Sequence, residues 1–430
     1  MIGALLRLAV PVMLSRAGML GLSTADTVMV GRTSTEELAY YAVATAPQVT
    51  MLTVGIGLST GVLALVAQAR GAGRAEAAGA AWRAGLLVGL AAGLAFALAC
   101  LFGAPLLRLL GQSPAMAAGG GDVLRAFAWG MPGIALYTVS GVFLEAIGRP
   151  GRALAVVAAG NLVNIAGNWL LIDLAGSGAA GAAHATSAAR VAMALLAAAA
   201  VLTLPGAAAY GLRRRALDGA LKGVLRLGVP AAVAIGLEST AFTAISMFAG
   251  MMGALPLATY QVALNVVAMV FMLALGLMTA AAIQVGQAKG RGDRAGMARA
   301  GWTAAGICLA GMVAGSALVL ALRLPLAAAF TADPALLAAL PAAFLLVALI
   351  LPVDGLQGVL MGVLRGAGDA MMPTALHLVS FWVVTVPAAY HLGFTLGHGV
   401  LGLLGGLACG LFVATMLLGG RFLVLVRRPA

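Results

Sequence analysis

The sequence predicts an all-α integral membrane protein with about twelve transmembrane helices in two six-helix lobes. Three observations support this prediction. Hydrophobic residues make up 63% of the 430 positions and charged residues only 9%, which leaves too little polar surface to cover a soluble protein. Apolar runs of about 20 residues or more, long enough to cross a hydrocarbon core as helices, follow one another along the chain. The second half of the chain also repeats the first.

The apolar runs give the spans in chain order. The first run counts as a span rather than a cleavable leader because Arg7, Arg16 and Asp26 interrupt it. The approximate cores of the predicted spans are 8–31, 42–67, 84–107, 123–147, 153–174, 184–204, 226–249, 258–286, 303–324, 336–364, 374–394 and 399–426.

The formal charge of +12 does not indicate a nucleic-acid partner, because the basic residues cluster in short connections between apolar spans. Most of them follow even-numbered spans. Cytoplasmic loops of membrane proteins are rich in Lys and Arg, so this bias predicts that both termini are cytoplasmic. The residues concerned are Arg70, Arg74, Arg83, Arg149, Arg152, Arg213, Arg214, Arg215, Lys222, Lys289, Arg291, Arg294, Arg299, Arg365, Arg427 and Arg428.

A tandem repeat covers about six spans. The stretch G-L-S-T-G-V-L-A-L-V-A-Q-A-R-G-A-G at 57–73 matches G-L-M-T-A-A-A-I-Q-V-G-Q-A-K-G-R-G at 276–292, an offset of 219. The same offset relates R-L-A-V-P at 7–11 to R-L-G-V-P at 226–230. An offset of 220 relates Pro132, Leu136, Leu144 and Gly148 to Pro352, Leu356, Leu364 and Gly368.

The repeat predicts an N-terminal lobe at 1–212, a cytoplasmic linker at 213–223 and a C-terminal lobe at 224–430. An even number of spans returns the chain to its starting side, so both copies enter the membrane in the same direction. Parallel repeats are related by a pseudo-two-fold axis along the membrane normal, which is typical of transporters with a site between rocking halves.

Most acidic residues fall in loops or at the ends of predicted spans, but three lie well inside spans: Asp26, Glu238 and Asp354. A charge at mid-bilayer costs about 2.5 to 3.5 kcal/mol on insertion scales, so such residues normally face a cavity or bind something. Burial disfavours the charged form, which makes each of them a candidate carrier of a proton or cation. Asp354 lies between Pro352 and Gly355, where freed carbonyls together with the carboxylate would suit Na⁺. The alternative is a structural role, with each carboxylate bonded to neighbouring hydroxyls.

Amide side chains extend this polar pattern. Asn161, Asn164 and Asn168 share one face of the fifth span, and Gln261 and Asn265 share a face of the eighth. These faces predict polar support for a cation or substrate site. Amides can equally join neighbouring helices by hydrogen bonds, and both interpretations stay open for the Asn residues. For the many Gly and Ala residues, close helix packing is favoured over a cavity.

Several stretches give the chain a resemblance to the MATE (multidrug and toxic compound extrusion) transporters, in the bacterial NorM-like branch. They extend from the first span to the eleventh, and their order and spacing together are more specific than any one of them. The stretches are A-D-T-V-M-V-G, V-A-Q-A-R-G-A-G-R, N-L-V-N-I-A-G-N-W-L-L-I, G-A-A-H-A-T, R-L-G-V-P with Glu238, Q-V-A-L-N-V-V-A-M-V-F-M-L and V-L-R-G-A-G-D.

The resemblance implies a V-shaped pair of lobes in the bacterial inner membrane. Such a protein exports bulky lipophilic cationic compounds in exchange for Na⁺ or H⁺, as a monomer contacting membrane lipid, with no cofactor besides the coupling ion. By position, Asp26 matches the family's first-helix aspartate, and Asn164 and Asn168 match its polar partners. Glu238 and Asp354 match carboxylates associated with cation binding. Pro11 matches a first-helix proline implicated in bending; Ile350 replaces an expected Tyr.

Two other functions compete with drug export. A flippase for lipid-linked or polysaccharide precursors would share the superfamily fold, but such proteins usually add spans or carry strongly cationic cavities. Arg16 is the one cation that we place well inside a span near the expected cleft. A membrane enzyme is disfavoured, because the four His residues are scattered and no metal-ligand or paired-carboxylate spacing is present.

Overall fold

The structure is a computed structural model that describes residues 2–212, 217 and 219–427, and its regular structure over these residues is helical throughout. In the first half, α7 continues into a π-helical segment, Trp169–Leu174, and a short 3₁₀ helix follows at Ala207–Tyr210. The helices of this half are α1 (Ile2–Gly31), α2 (Thr35–Gly71), α3 (Ala75–Leu101), α4 (Gly103–Leu109), α5 (Pro114–Ala128), α6 (Met131–Ala146), α7 (Pro150–Asn168) and α8 (Gly178–Leu202).

The second half repeats this order of long helices. Two π-helical segments, Val379–Thr385 and His391–Thr395, flank its shortest helix. The helices are α9 (Ala220–Met251), α10 (Ala254–Gly290), α11 (Arg294–Ala321), α12 (Arg323–Phe330), α13 (Pro334–Gly366), α14 (Met371–Leu378), α15 (Val386–Tyr390) and α16 (Gly399–Arg427).

Eleven helical spans of the described chain are long and apolar enough to cross a membrane. If a pair of helices joined at a bend counts as one further span, the number rises to twelve. The bent pair is α5 and α6, which meet at 49°. The predicted fourth span, 123–147, is therefore broken rather than continuous. The break precedes Pro132, which has no N–H to donate and so cannot continue the helix from α5.

Glycines at equivalent positions of the two repeats have the same backbone conformation. Gly73 and Gly292, which the first offset relates, end their helices with φ of 69° and 72°. Gly148 and Gly368, which the second offset relates, have φ of 78° and 76°. Side chains other than glycine rarely adopt this left-handed conformation, which explains why the two turns keep glycine in both copies.

In both repeats, a basic side chain donates to a carbonyl at the C-terminal end of the fourth span. Arg70 Nη1 donates to the carbonyl of Ala146 at 3.3 Å, where α6 ends. The equivalent Lys289 donates through Nζ to the carbonyl of Ala367, where α13 ends. The last carbonyls of a helix lack partners within it, so these cations satisfy them and complement the helix dipole.

The chain divides into two compact units. The N-unit is Val10–Ala232, and the C-unit is Met1–Ala9 together with Val233–Ala430. Leu5 and Ala9 belong to the hydrophobic core of the C-unit. The predicted lobes at 1–212 and 224–430 stay a prediction, as does the linker at 213–223, of which 213–216 and 218 lie outside the described residues.

Small residues let α16 approach the segment Val379–Thr395 closely within the C-unit. Side-chain carbons added at Gly402, Gly406 and Gly410 would overlap with Leu392, Ala389 and Thr385, respectively. This spacing of four puts the glycines on one helix face. Close packing is therefore the role of these glycines, as the sequence favoured.

Candidate functional site

A buried polar cluster surrounds Asp26 in the N-unit. Its members, here called the N-cluster, are Asp26, Tyr41, Asn164, Asn168 and Thr186. Asp26 is 1% exposed and accepts four hydrogen bonds. Asn164 Nδ2 and Asn168 Nδ2 donate to Oδ1 at 2.9 and 2.7 Å. Tyr41 Oη, at 2.9 Å, and the Thr186 hydroxyl donate to Oδ2.

The helical spacing in α7 explains how these amides converge. Asn164 and Asn168 are four residues apart and so share a face. Asn161 lies one turn earlier but points elsewhere: its Nδ2 donates to the carbonyl of Gly18 at 3.0 Å. The asparagine face is therefore divided between two kinds of contact, and a role in a cation or substrate site stays a prediction. Asn161 joins two helices, while Asn164 and Asn168 hold the carboxylate.

Arg190 lies beside the N-cluster, and the sequence prediction missed it. It is 6% exposed and sits on α8, one turn after Thr186. Its guanidinium carbon lies 5.2 Å from the centre of the Phe127 ring. Arg16 is thus not the one cation inside a span. The signal for Arg190 was present in the sequence, since it lies within the predicted sixth span, 184–204.

A second polar cluster, here called the C-cluster, lies in the C-unit and consists of Glu238, Asp354, Gln357, Arg365 and His377. Gln357 is its centre. Gln357 Nε2 donates to Glu238 Oε1 at 3.2 Å and to Asp354 Oδ1 at 3.4 Å. His377 Nε2 lies 3.0 Å from Gln357 Oε1, so the histidine donates to the amide oxygen.

Arg365 belongs to the C-cluster through its charge rather than through a hydrogen bond to the carboxylates in the described structure. This arginine is 7% exposed and acts on Glu238 as a nearby positive charge. With both carboxylates ionised, the C-cluster therefore contains two negative charges and one positive charge, and Glu238 is the carboxylate that interacts with Arg365. Carboxylate and amide oxygens are ligands suited to Na⁺, and a carboxylate can take a proton instead. The C-cluster is thus chemically able to bind a monovalent cation or a proton.

Comparison with known proteins decides the family. The MatE family model matches residues 11–170 and 230–391, two segments that begin at the repeat-related Pro11 and Pro230. The chain belongs to the MATE family. It is 36% identical to a probable multidrug resistance protein NorM of Caulobacter vibrioides, over 98% of this chain and 91% of that protein. A protein with the same description from Rhodopseudomonas palustris is 35% identical over the same shares.

Solved structures agree on the fold of this MATE protein. The eukaryotic MATE transporter AtDTX14 matches with a TM-score of 0.90 at 21% identity, covering all of this chain and 96% of that one. A MATE structure in the bent conformation also matches with a TM-score of 0.90 at 21% identity, covering 98% and 95%. The prediction of a helical MATE transporter rather than an enzyme is confirmed.

The remaining residues predicted for the MATE site lie apart from the two clusters. Gln261 and Asn265 are exposed; Gln261 Nε2 donates to Ser246 Oγ at 2.8 Å, and Asn265 Nδ2 to the Gln261 carbonyl at 2.9 Å. Pro11 lies inside α1, where its carbonyl accepts from Ser15 Oγ at 2.9 Å. Roles in substrate binding or bending stay predictions for these residues.

Arg16 has a structural partner in this MATE chain. Its Nη2 lies 3.5 Å from Glu145 Oε2 in α6. Glu145 is 2% exposed, whereas the Arg16 side chain is 21% exposed. Arg16 is therefore engaged with a buried carboxylate within the N-unit. The sequence did not predict this ion pair, because the two residues lie far apart in the chain and neither forms part of a motif.

Proposed function

We propose that this MATE-family chain is a secondary active efflux transporter, which exports bulky lipophilic organic cations in exchange for Na⁺ or H⁺ by alternating access. Relatives described as probable multidrug resistance proteins, 35–36% identical over nearly the whole chain, support small organic substrates. Their bacterial origin and the positive-inside bias support an inner-membrane location with cytoplasmic termini.

The C-cluster carries the proposal of ion coupling. Glu238 on α9 and Asp354 on α13 flank one amide nitrogen of Gln357, so an ion bound to either carboxylate changes the electrostatic environment of the other. A cation bound here would replace the N–H donors of Gln357 with a full positive charge. Release of that ion would restore the bridge.

Coupling of ion movement to drug export then requires only that the ion and the substrate do not bind to the transporter at the same time. If the transporter changes its facing direction with either the ion or the substrate bound, inward ion movement drives outward movement of the drug. Each net charge that moves inward across the potential contributes about 2.3 kcal/mol per 100 mV. Glu238 is partly exposed in the described structure, which gives an ion a way to reach the cluster.

Transport in proteoliposomes under separately imposed Na⁺ and pH gradients tests the proposal. Glu238→Gln keeps the size and hydrogen bonding of the side chain but removes its charge, so it should insert normally and lose gradient-driven export. Asp354→Asn should behave in the same way. The double variant should be little worse than either single one, because residues that act as a unit are non-additive.

Asp122→Asn is the matched control. Asp122 is an exposed carboxylate paired with Arg125 in the same helix, so its neutralisation should leave export unchanged. Normal export by Glu238→Gln at equal membrane abundance would remove Glu238 from the coupling mechanism.

A further inference from the structure

Three buried charged residues lie in the N-unit among the residues that the structure describes: Asp26, Glu145 and Arg190. Glu145 is paired with Arg16, which leaves Asp26 and Arg190. A buried charge is costly unless a charge of opposite sign lies near it. The unit therefore contains one buried anion and one buried cation that need each other.

Within the described part of the chain, the direct contacts of Arg190 are to neutral groups. Its Nη1 lies 3.5 Å from Met131 Sδ, and its guanidinium lies over the Phe127 ring. The Gln48 amide, oriented with its oxygen toward the guanidinium, accepts from Nη1 at 2.9 Å. These groups hold the arginine in place but do not neutralise it.

Among the described residues of the N-unit, Asp26 is the remaining buried charge of opposite sign. Arg190 and Asp26 are close enough for their charges to interact, and Tyr41 connects their surroundings. Tyr41 Oη donates to Asp26, while its ring centre lies 6.0 Å from that of Phe127, on which Arg190 rests. Thr186, which donates to Asp26, is one helical turn from Arg190 on α8.

The N-cluster otherwise has the donor set of a cation site. Besides the carboxylate, it contains Asn168 Oδ1, a buried oxygen with no hydrogen bond partner in the described structure. Two more oxygens belong to the same network: Oδ1 of Asn164 accepts from Asn168 Nδ2 at 3.4 Å, and the Thr186 hydroxyl accepts from Asn164 Nδ2 at 2.9 Å. Such hard oxygen atoms suit a monovalent metal ion, provided that the net charge of the site attracts one.

We propose that Arg190 is the internal counter-cation of Asp26 and excludes an external cation from the N-cluster. The N-cluster is then neutral as built, whereas the C-cluster combines two carboxylates with one arginine. The difference assigns external-ion binding to one unit and makes Arg190 a specificity-determining residue. This inference does not depend on the coupling role proposed for Glu238.

Binding of ²²Na⁺ to purified protein tests the inference, with Glu238→Gln and Asp354→Asn present in every variant so that the C-cluster does not contribute. In this background, the protein that retains Arg190 should show no Na⁺ binding that depends on Asp26. Arg190→Gln should gain such a site, near equimolar with protein, and adding Asp26→Asn should abolish it. Arg190→Lys keeps the charge and should gain nothing.

In the Arg190→Gln protein, Asp26 could bind a proton in place of Na⁺. Infrared difference spectra of the same proteins should then show a protonated carboxyl in Arg190→Gln that is absent after Asp26→Asn. Asp26-dependent Na⁺ binding with Arg190 present would overturn the proposal. So would an Arg190→Gln protein whose Asp26 binds neither ion.

Thermal denaturation keeps the proposal testable if Arg190→Gln folds poorly. Asp26→Asn alone leaves Arg190 buried without its counter-charge and should lower the melting temperature. Adding Arg190→Gln to Asp26→Asn should recover part of that loss, because the pair is removed together. Additive losses would show that the two charges do not depend on each other.

Discussion

Glu145 and Arg365 occupy the same position of the two repeats, related by the offset that also pairs Leu144 with Leu364, and carry opposite charges. Both are buried. Arg16 on α1 pairs with Glu145, and Glu238 on α9 acts electrostatically on Arg365. Each unit therefore has opposite charges near each other on the first and fourth spans of its repeat, with the polarity reversed.

Removing the two members of the N-unit pair should have unequal effects. Arg16→Met leaves the buried Glu145 carboxylate without its cation and should destabilise the protein by about 2 to 3 kcal/mol. Glu145→Gln leaves only the partly exposed Arg16, which can reach water, and should cost about 1 kcal/mol or less. Thermal denaturation in detergent compares them, and equal losses would contradict the difference in burial.

Gln357→Leu should increase the affinity of the C-cluster for its coupling ion. The substitution removes an N–H donor from Glu238 and Asp354, so their negative charge is less compensated. A hydrogen bond contribution of about 1 kcal/mol predicts that the half-saturating ion concentration falls about fivefold. Ion-dependent uptake in vesicles measures this value.

Thr415→Val is the control for that measurement. The Thr415 hydroxyl donates to the carbonyl of Val353, next to Asp354, at 2.9 Å, without contacting either carboxylate. Its loss should leave the half-saturating concentration unchanged. An unchanged value for Gln357→Leu as well would show that the amide bridge does not influence ion binding.

Gly406→Ala should destabilise the C-unit, whereas Gly405→Ala should not. An added carbon at Gly406 would overlap the backbone of Ala389, but at Gly405 its nearest neighbour is Leu392 Cδ1 at 3.6 Å. Overpacking costs about 1 to 3 kcal/mol. Both changes raise helix propensity equally, so the difference in melting temperature isolates the packing effect. Indistinguishable variants would mean that α16 moves away without cost.

Cysteine labelling in cells tests the predicted orientation. Cysteines at Arg74, Arg214 and Arg291 should react with a permeant reagent but not with an impermeant one, while a cysteine at Thr35 should react with both. Cys409 is exposed and should first be replaced with serine; Cys100 and Cys308 are buried. Labelling of Arg214 from outside together with Thr35 from inside would invert the orientation.

Expression in a host that lacks its own pumps should lower the accumulation of ethidium-like lipophilic cations. Dissipating the Na⁺ and H⁺ gradients should abolish this effect, because the proposed transporter has no other energy source. Dye fluorescence in cells follows both steps, with the Glu238→Gln protein at equal abundance as the inactive control. An effect that survives full dissipation would indicate another energy source.

The parts of the fold that could be predicted are those that follow from local composition. Apolar length gives the spans, and the paired glycines such as Gly73 and Gly292 keep the same backbone conformation in both repeats. The break between α5 and α6 was missed, since apolar residues predominate on both sides of it in the run 123–147. A proline in a membrane helix does not by itself show whether the helix bends or ends.

The candidate site follows less directly from sequence. Glu238 and Asp354 were predicted from the cost of placing charge in a membrane, and the structure brings them together on Gln357. His377 could not be predicted, because it enters the C-cluster from a helix that no spacing connects to Asp354. The clusters also break the repeat: the position equivalent to Asp26 in the second copy is Ile245, so the equivalent tyrosine, Tyr260, donates to the Phe242 carbonyl instead.

The assignment of Met1–Ala9 to the C-unit has a consequence for biosynthesis. Residues 1–9 are translated before the segments they pack against, and they find their final packing partners only after Val233 and later segments have been inserted. The N-terminal half therefore cannot reach its native state as an independent fragment, and a chain cut in the 213–223 region would leave both halves incomplete. Separately expressed halves should be cleared by membrane quality control when alone, and persist only when translated together.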